Sequence, residues 1–157
     1  MRLSLNRHKG CSRKRISWLD RRTIARLRTV AESLPPAGAE VELVVADDAF
    51  LRGLNRQYRG IDRPTDVISF SYHGDVGRHA RDEDVAGEVY LSYETIEAQA
   101  KSEGIAPDRL FLRIGVHGLL HVAGHAHGTR SEAGRMEAEE RKLLLEHLTP
   151  TEVEELF

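Results

Sequence analysis

The segment VELVVADDAFLRGLNRQY, residues 41–58, contains the signals of a strand and of a helix. Residues 41–46 form a short and mainly apolar run, which predicts a strand. Asp47 follows as a candidate N-cap, and residues 49–58 then carry the spacing of a helix. The sequence therefore predicts a strand that leads directly into a capped helix.

Strands continue to alternate with helices on the C-terminal side of this stretch. Residues 65–70 (TDVISF) predict a β-branched strand, and residues 87–92 (GEVYLS) predict another. The serine that ends the latter strand can cap a helix over residues 93–102, which Gly104 can terminate. Residues 71–85 are polar and contain glycine and a DED run, so we expect a surface loop between the two strands.

Three more helices are predicted. Residues 16–34 have an amphipathic pattern that ends at two prolines, and residues 131–148 form a charged helix. A helix that begins at Pro107 lies between them and is the central one. It places four residues on one face, namely Leu110, Ile114, His117 and His121.

Length and composition indicate a single domain. The chain has 157 residues, of which 40% are hydrophobic and 31% charged, which is enough for one sizeable core. We therefore expect one α+β domain over residues 1–157, with a mixed sheet of about four strands packed with helices. Cys11 is the only cysteine, and no run approaches the roughly 20 apolar residues of a membrane span, so we expect a cytoplasmic protein.

Charge is distributed unevenly along the chain. The formal net charge is −2, yet residues 1–30 carry ten Lys and Arg against one acid, Asp20. Residues 131–157 carry eight acids against three bases. A cationic end can attract a phosphate backbone, although a charge run more often marks only a solvated face.

Four of the eight histidines lie in one segment, HGLLHVAGHAH, residues 117–127. On a helix, residues four apart project from the same side, so His117 and His121 can both point at one ion. Gly124 permits the chain to leave the helix sharply, which could bring His127 back as a third ligand. Three imidazoles with an open fourth position are typical of a catalytic zinc site at the end of the helix. We expect His125 to point elsewhere.

The spacing of these three histidines also occurs in the metzincin peptidases. There the residue after the first histidine is a glutamate that acts as general base. In this chain that position is Gly118. The missing carboxylate weakens a peptidase interpretation, because water activation would depend on the metal or on a base outside the helix.

Several segments together resemble the YbeY family. These are LNRQYR at residues 54–59, DRPTDVISF at 62–70, GEVYLS at 87–92 and the histidine segment, with Met136 and Glu137 beyond it. The resemblance runs from about residue 43 to 145. This chain has His125-Ala126 where the family usually has Tyr-Asp, and Ser71 where the family usually has proline.

The resemblance implies a zinc-dependent, single-strand-specific endoribonuclease. Its metal ligands fall on His117, His121 and His127, with one Zn²⁺ per chain, and its functionally important arginine falls on Arg59. Arg59 could hold a phosphate through its planar fork. The implied role is ribosomal RNA processing, namely maturation of the small-subunit 3′ end, together with ribosome quality control. The implied partners are ribosomal RNA and the ribosome or ribosome-associated proteins, with no membrane.

Three functional classes therefore remain open. The first is the RNA hydrolase, and the second is a metallopeptidase with metzincin-like ligand spacing. The third is a metal-stabilised RNA- or ribosome-binding module with little catalysis of its own. Metal content, RNA cleavage and the effect of changing Arg59 would discriminate among them.

Overall fold

The structure is a computed structural model that describes residues 1–72, 85–126 and 128–157. Along the chain, four strands and six helices occur in these ranges, in the order β1 (Arg2–Arg7), α1 (Arg21–Ser33), β2 (Glu40–Ala46), α2 (Asp48–Arg59), β3 (Val67–Ser71), β4 (Val85–Ser92), α3 (Tyr93–Glu103), α4 (Pro107–Val122), α5 (Arg130–Leu145) and α6 (Pro150–Glu154). The expected α+β class is confirmed.

The strands form one mixed sheet in the order β1-β2-β4-β3. β2 pairs with β1 and with β4 in the parallel direction, and β3 pairs with β4 in the antiparallel direction. Parallel neighbours need a crossover connection, and α1 supplies it between β1 and β2. The sheet of about four strands that the sequence predicts is therefore confirmed.

Helices cover both faces of the sheet. Because successive side chains of a strand point to opposite faces, alternate residues belong to different cores. Leu43 and Val89 lie in the main core with α1 and α4, whereas Ala46 and Ile68 pack with Leu51 of α2 on the other face. The main core is much the larger, so α4 and its partners dominate the stability of the fold.

Helix α4 is the central element of the main core. Its residues Phe111, Val116, Leu119 and Leu120 are all 0% exposed, which is typical of a helix enclosed by other elements. It contacts β3, β4, α1, α3 and α5. A side chain that projects from its C-terminal turns is therefore held by a rigid support. Within the described ranges, no helix is long and apolar enough to cross a membrane.

Local capping follows the sequence expectations closely. Asp47 and Ser92 accept hydrogen bonds from the backbone N–H groups of Phe50 and Thr95, at the starts of α2 and α3. Gly104 ends α3 in the left-handed conformation, at φ +69°. These caps place the helix starts directly after β2 and β4.

The N-terminal part contains one strand that was not predicted and one helix whose predicted start is wrong. Strand β1 is not indicated by the sequence pattern, yet it pairs in register from Arg2 with Glu40 to Arg7 with Val45. The first helix begins at residue 21 rather than 16, because the Asp20 carboxylate accepts a 2.7 Å hydrogen bond from the Thr23 N–H and so acts as N-cap. The expected loop at residues 71–85 falls mostly on residues 73–84, which lie outside the described residues.

Candidate active site

The C-terminal turns of α4 bring His117 and His121 together. The two residues are four apart, so their side chains project from the same side of the helix one turn apart. Their ring centroids are 4.7 Å apart, and the two Nε2 atoms are 3.1 Å apart. Both rings are half-buried, in contrast to the buried apolar residues that surround them on α4.

The Nδ1 atom of each ring faces a hydrogen-bond acceptor. His117 Nδ1 lies 2.5 Å from a carboxylate oxygen of Glu140, and His121 Nδ1 lies 3.0 Å from the backbone carbonyl oxygen of His125. We assign the proton of each neutral ring to Nδ1, since a carboxylate or carbonyl oxygen can only accept. Nε2 is then the ring atom that can ligate a metal, and both Nε2 atoms face one point.

Glu140 is a site residue that the sequence analysis missed. It is only 4% exposed, on α5, and its other carboxylate oxygen lies 3.7 Å from Nε of Arg113. A signal was present, because Glu140 falls at the helical position between Met136 and Leu144, which are both buried. A glutamate inside an apolar stripe needs a partner, and here the partners are His117 and Arg113.

The backbone conformation at Gly124 orients the His125 carbonyl, which contacts His121. Its φ is +96°, a conformation that favours glycine, and the chain leaves α4 at this point as the sequence predicts. The His125 N–H donates to the Leu120 carbonyl at 2.9 Å, which fixes the turn. The contact of His125 with His121 is therefore made by its backbone carbonyl oxygen.

The two histidines fit one side of a metal site. Nitrogens bound to a tetrahedral zinc at about 2.0–2.1 Å lie about 3.3 Å apart, close to the 3.1 Å between the two Nε2 atoms. Hydrogen bonds from Nδ1 to a carboxylate and to a backbone carbonyl are also the usual support for ligating histidines. No group of three possible ligands occurs within residues 1–72, 85–126 and 128–157, and the predicted third ligand, His127, lies outside them.

His117 and His121 open into a cavity of about 440 Å³. Arg59 lines the same cavity, so the fold brings three of the four predicted site residues together, from α2 and α4. The rest of the wall comes from β3 and the residues before it. The remaining lining residues are Thr65, Asp66, Val67, Ser69 and Ser71.

Arg59 is placed by the end of α2. Gly60 terminates the helix in the left-handed conformation, at φ +70°. The segment that follows is held by a two-bond ion pair from Arg52 to Asp62, with both distances 2.8 Å, and by a bond from Asn55 to the Arg63 carbonyl. These contacts fix the position of Arg59, whose side chain is exposed at the cavity.

The strand side of the cavity carries Asp66 and Ser69. One Asp66 carboxylate oxygen accepts from the Val67 N–H at 2.8 Å and from the Thr65 hydroxyl at 3.1 Å, so Asp66 braces the turn into β3. The Ser69 hydroxyl oxygen is buried and has no hydrogen-bond partner among the described residues. It therefore remains able to bind a group that enters the cavity.

Gly118 permits α4 to pack closely on the sheet. A Cβ atom at this position would lie 2.5 Å from Val89 Cγ1 and 3.1 Å from Ser69 Oγ. A glutamate side chain cannot be accommodated there without moving the helix away from β3 and β4. The packing thus explains why this position lacks the metzincin general base.

Two tyrosines near the other face of β3 have a structural role. The Tyr72 and Tyr90 hydroxyls both donate to one carboxylate oxygen of Glu88, at 2.8 and 3.1 Å. Burial, followed by the adjacent Glu88 carboxylate, raises the pKa of Tyr90 to about 12. These hydroxyls remain protonated donors at neutral pH, and they hold the edge of the sheet behind the cavity.

Comparison with known proteins assigns the family. The family model described as Endoribonuclease YbeY matches residues 8–148. This range includes α2, β3 and α4, the elements that line the cavity. The chain belongs to the YbeY endoribonuclease family. The resemblance carried by the sequence segments is thereby confirmed.

YbeY endoribonucleases of several bacteria share substantial identity with the chain. The protein from Pelotomaculum thermopropionicum is 41% identical over 107 residues, which are 68% of this chain and 70% of that protein. The protein from Rhodopseudomonas palustris is 40% identical over 68% of this chain and 57% of its own length. For Paramagnetospirillum magneticum the identity is 38%, over 77% and 75% of the two chains. The chain thus spans less than two thirds of some YbeY relatives.

A solved structure has the same fold. The solution structure of TM1509 from Thermotoga maritima matches with a TM-score of 0.55 and 24% sequence identity. The match covers 92% of this chain and 89% of that protein. The two proteins therefore share the α+β fold at a sequence identity of 24%.

Proposed function

We propose that this protein is a zinc-dependent endoribonuclease that hydrolyses phosphodiester bonds in single-stranded RNA. The observation that carries the proposal is one cavity, lined by Arg59 and by His117 and His121 with their paired Nε2 atoms, in a chain of the YbeY family. His127 is the proposed third ligand. One zinc per chain would complete the site.

Hydrogen bonds within the chain leave the Nε2 atoms of His117 and His121 able to bind a metal. Bound zinc would supply Lewis acidity at a phosphoryl oxygen and lower the pKa of water. Glu140 accepts the Nδ1 proton of His117 and keeps Nε2 unprotonated, while the His125 carbonyl does the same for His121. The carboxylate also adds negative charge behind one ligand, which favours binding of a cation.

Arg59 is the proposed phosphate-binding residue. A guanidinium offers parallel N–H donors that match two oxygens of a phosphate. Its charge would offset the negative charge that grows on the phosphoryl oxygens during hydrolysis. The Ser69 hydroxyl lines the same cavity, has no partner among the described residues, and is the proposed donor of a further hydrogen bond.

Tyr58 supports a preference for single strands. Tyr58 directly precedes Arg59 in the chain, its side chain is 59% exposed, and its ring meets Phe70 edge-on with centroids 4.8 Å apart. The contact with Phe70 holds the ring while leaving it exposed to solvent. An unpaired base can stack on such a ring, whereas a base inside a duplex is already stacked.

The biological setting is proposed from family membership. We infer that the substrate is ribosomal RNA in the cytoplasm, with action at the 3′ end of the small-subunit RNA and in ribosome quality control. Ribosomes or ribosome-associated proteins would then be the partners. A peptidase function has less support, because Gly118 lies against Val89 and leaves no room for the glutamate base.

The test combines metal, arginine and substrate in one assay. Wild-type protein should cut single-stranded ribosomal RNA fragments, chelation should stop the cutting, and added zinc should restore it. Arg59→Glu should reduce cleavage at least about 100-fold with metal content unchanged, as expected when one preorganised charge contact is lost. Arg56→Glu is the matched control, since Arg56 is exposed on the same helix turn and does not line the cavity.

Two results would overturn the proposal. Cleavage that persists after chelation and after replacement of His121 would come from a contaminating nuclease. RNA binding by the wild type without cleavage, even with ribosomes present, would favour the binding module over the enzyme.

A further inference from the structure

A second cavity, which the proposed hydrolysis does not use, lies at the opposite edge of the sheet. Its volume is about 580 Å³. It lies between β1, the turns that follow it and α1. The arginines that line it are Arg7, Arg13, Arg21 and Arg28.

One carboxylate, Asp20, lines this cavity together with the four arginines. That carboxylate already accepts the Thr23 N–H at 2.7 Å as the N-cap of α1. None of the four arginines forms an ion pair with a residue in the described part of the chain. The positive charge of the cavity is therefore not balanced by these residues of the protein.

Arg7 indicates most clearly that an anion belongs there. Its Nη1 atom is buried and has no hydrogen-bond partner among residues 1–72, 85–126 and 128–157. Burial, together with the nearby charge of Arg13, lowers the pKa of Arg7. A buried donor without a partner costs free energy, and a bound anion would remove that cost.

The chemistry of the wall fits a nucleotide unit. Arginine forks bind phosphate oxygens in a bidentate way, and α1 presents Arg21 and Arg28 seven residues apart on one face, with Ile24 between them. Leu5 and Leu19 extend the apolar part of the wall. A phosphate can bind the arginines while a ribose or base covers the apolar side chains.

The second cavity is separate from the candidate active site. Arg7, Val45, Leu91 and Val67 are consecutive partners across the sheet, and Val67 lines the histidine cavity. Three strand spacings correspond to about 14 Å between Arg7 and Val67. A ligand phosphate in one cavity therefore does not occupy the other.

We propose that this arginine-lined cavity binds a phosphate of the RNA strand outside the cleavage site and so anchors the substrate. The proposal rests on the action on RNA proposed above. It gives the cationic N-terminal segment a function in substrate binding. Binding here should depend on the phosphodiester backbone and not on base sequence.

The test measures the affinity of the protein for a fluorescent single-stranded RNA over a range of salt concentrations. Arg13→Gln combined with Arg28→Gln removes two exposed cavity arginines, and Lys14→Gln combined with Arg22→Gln removes two exposed charges outside the cavity. The cavity pair should weaken binding about tenfold or more. It should also lower the slope of log affinity against log salt by about 0.7, the value for the loss of one phosphate contact on a single strand. The control pair should change affinity less than about twofold.

Two competition experiments distinguish RNA from free phosphate and from an acidic peptide as the ligand of the cavity. Inorganic phosphate should compete weakly, and polyglutamate of matched length should not displace the RNA. Equal losses in the two variant pairs would overturn the proposal, as would strong competition by either anion or no loss in the cavity pair. Thermal unfolding should show that both pairs are folded. RNA binding without cleavage by the wild type would contradict only the proposed hydrolysis, because affinity is measured independently of turnover.

Discussion

The carboxylate of Glu140 lies 2.5 Å from Nδ1 of His117, although the two residues are 23 positions apart and belong to different helices. Glu140 is almost fully buried on α5, where its second oxygen faces Arg113 at 3.7 Å. This contact fixes both the orientation and the protonated nitrogen of one proposed ligand. The site is therefore built by α5 as well as by α4.

Replacing Glu140 should weaken the proposed zinc site without removing a ligand. Glu140→Gln keeps the shape of the side chain but removes the negative charge behind His117, so zinc affinity should fall about 10-fold or more. Glu139→Gln is the control, since the ion pair of Glu139 within the described part of the chain is with Lys142, at 2.9 Å. Competition with a chromogenic chelator measures both affinities. Equal affinities for the two variants would show that Glu140 does not support the metal.

His125→Ala should retain the metal. The imidazole of His125 is not the group that contacts His121; the backbone carbonyl is, at 3.0 Å, and alanine keeps it. Gly124→Ala should instead reduce zinc affinity, because φ +96° is strained for alanine by about 1–2 kcal/mol and relaxation would move that carbonyl. Zinc content after dialysis measures both effects. A loss for His125→Ala as large as that for His121→Ala would make His125 a ligand.

Gly118→Ala should destabilise the fold. The added Cβ would lie 2.5 Å from Val89 Cγ1, so the expected loss in the free energy of unfolding is about 1–3 kcal/mol. Gly134→Ala is a control of opposite sign, because Gly134 is an exposed α5 residue with nothing within 4 Å of a new Cβ. At position 134 the better helix propensity of alanine should raise the free energy of unfolding by about 0.5–1 kcal/mol. Urea unfolding distinguishes them, and equal stabilities would contradict the close packing of α4 on β4.

Tyr58→Ala should weaken binding of single-stranded RNA. Loss of one base-stacking contact typically costs 1–3 kcal/mol, so KM for a single-stranded substrate should rise about tenfold, with a smaller change in kcat. Tyr58→Phe keeps the aromatic ring and should behave like the wild type. Thermal unfolding checks that loss of the Phe70 contact has not unfolded the alanine variant. An unchanged KM in Tyr58→Ala would exclude stacking on this ring.

The elements of the fold that have strong local signals are predictable from sequence. Asp47, Ser92 and Gly104 act locally, so their caps and the helix boundaries they set agree with the structure. Strand β1 carries little local signal, because it lies at the sheet edge and only Leu3 among its residues is buried. Its parallel pairing with β2 is a long-range contact that periodicity does not reveal.

Some relations within the candidate site can also be predicted from sequence, whereas others depend on how the chain packs. The relation between His117 and His121 follows from helical geometry, and the fold then places Arg59 at the same cavity. Glu140 belongs to another helix, so its contact with His117 depends on how α5 packs on α4. The role of the His125 carbonyl depends on a backbone torsion at Gly124, whereas sequence reasoning considers mainly side chains.

In the proposed site three histidines hold one catalytic zinc, and the zinc content of the purified protein tests this arrangement. Purified wild-type protein should contain about one zinc per chain, and alanine replacement of His117, His121 or His127 should each lower that content sharply. Elemental analysis of folded, dialysed protein provides the measurement, with His125→Ala as the variant expected to keep its metal. Full zinc occupancy in all three ligand variants, or no metal in the wild type after zinc is supplied, would contradict the account.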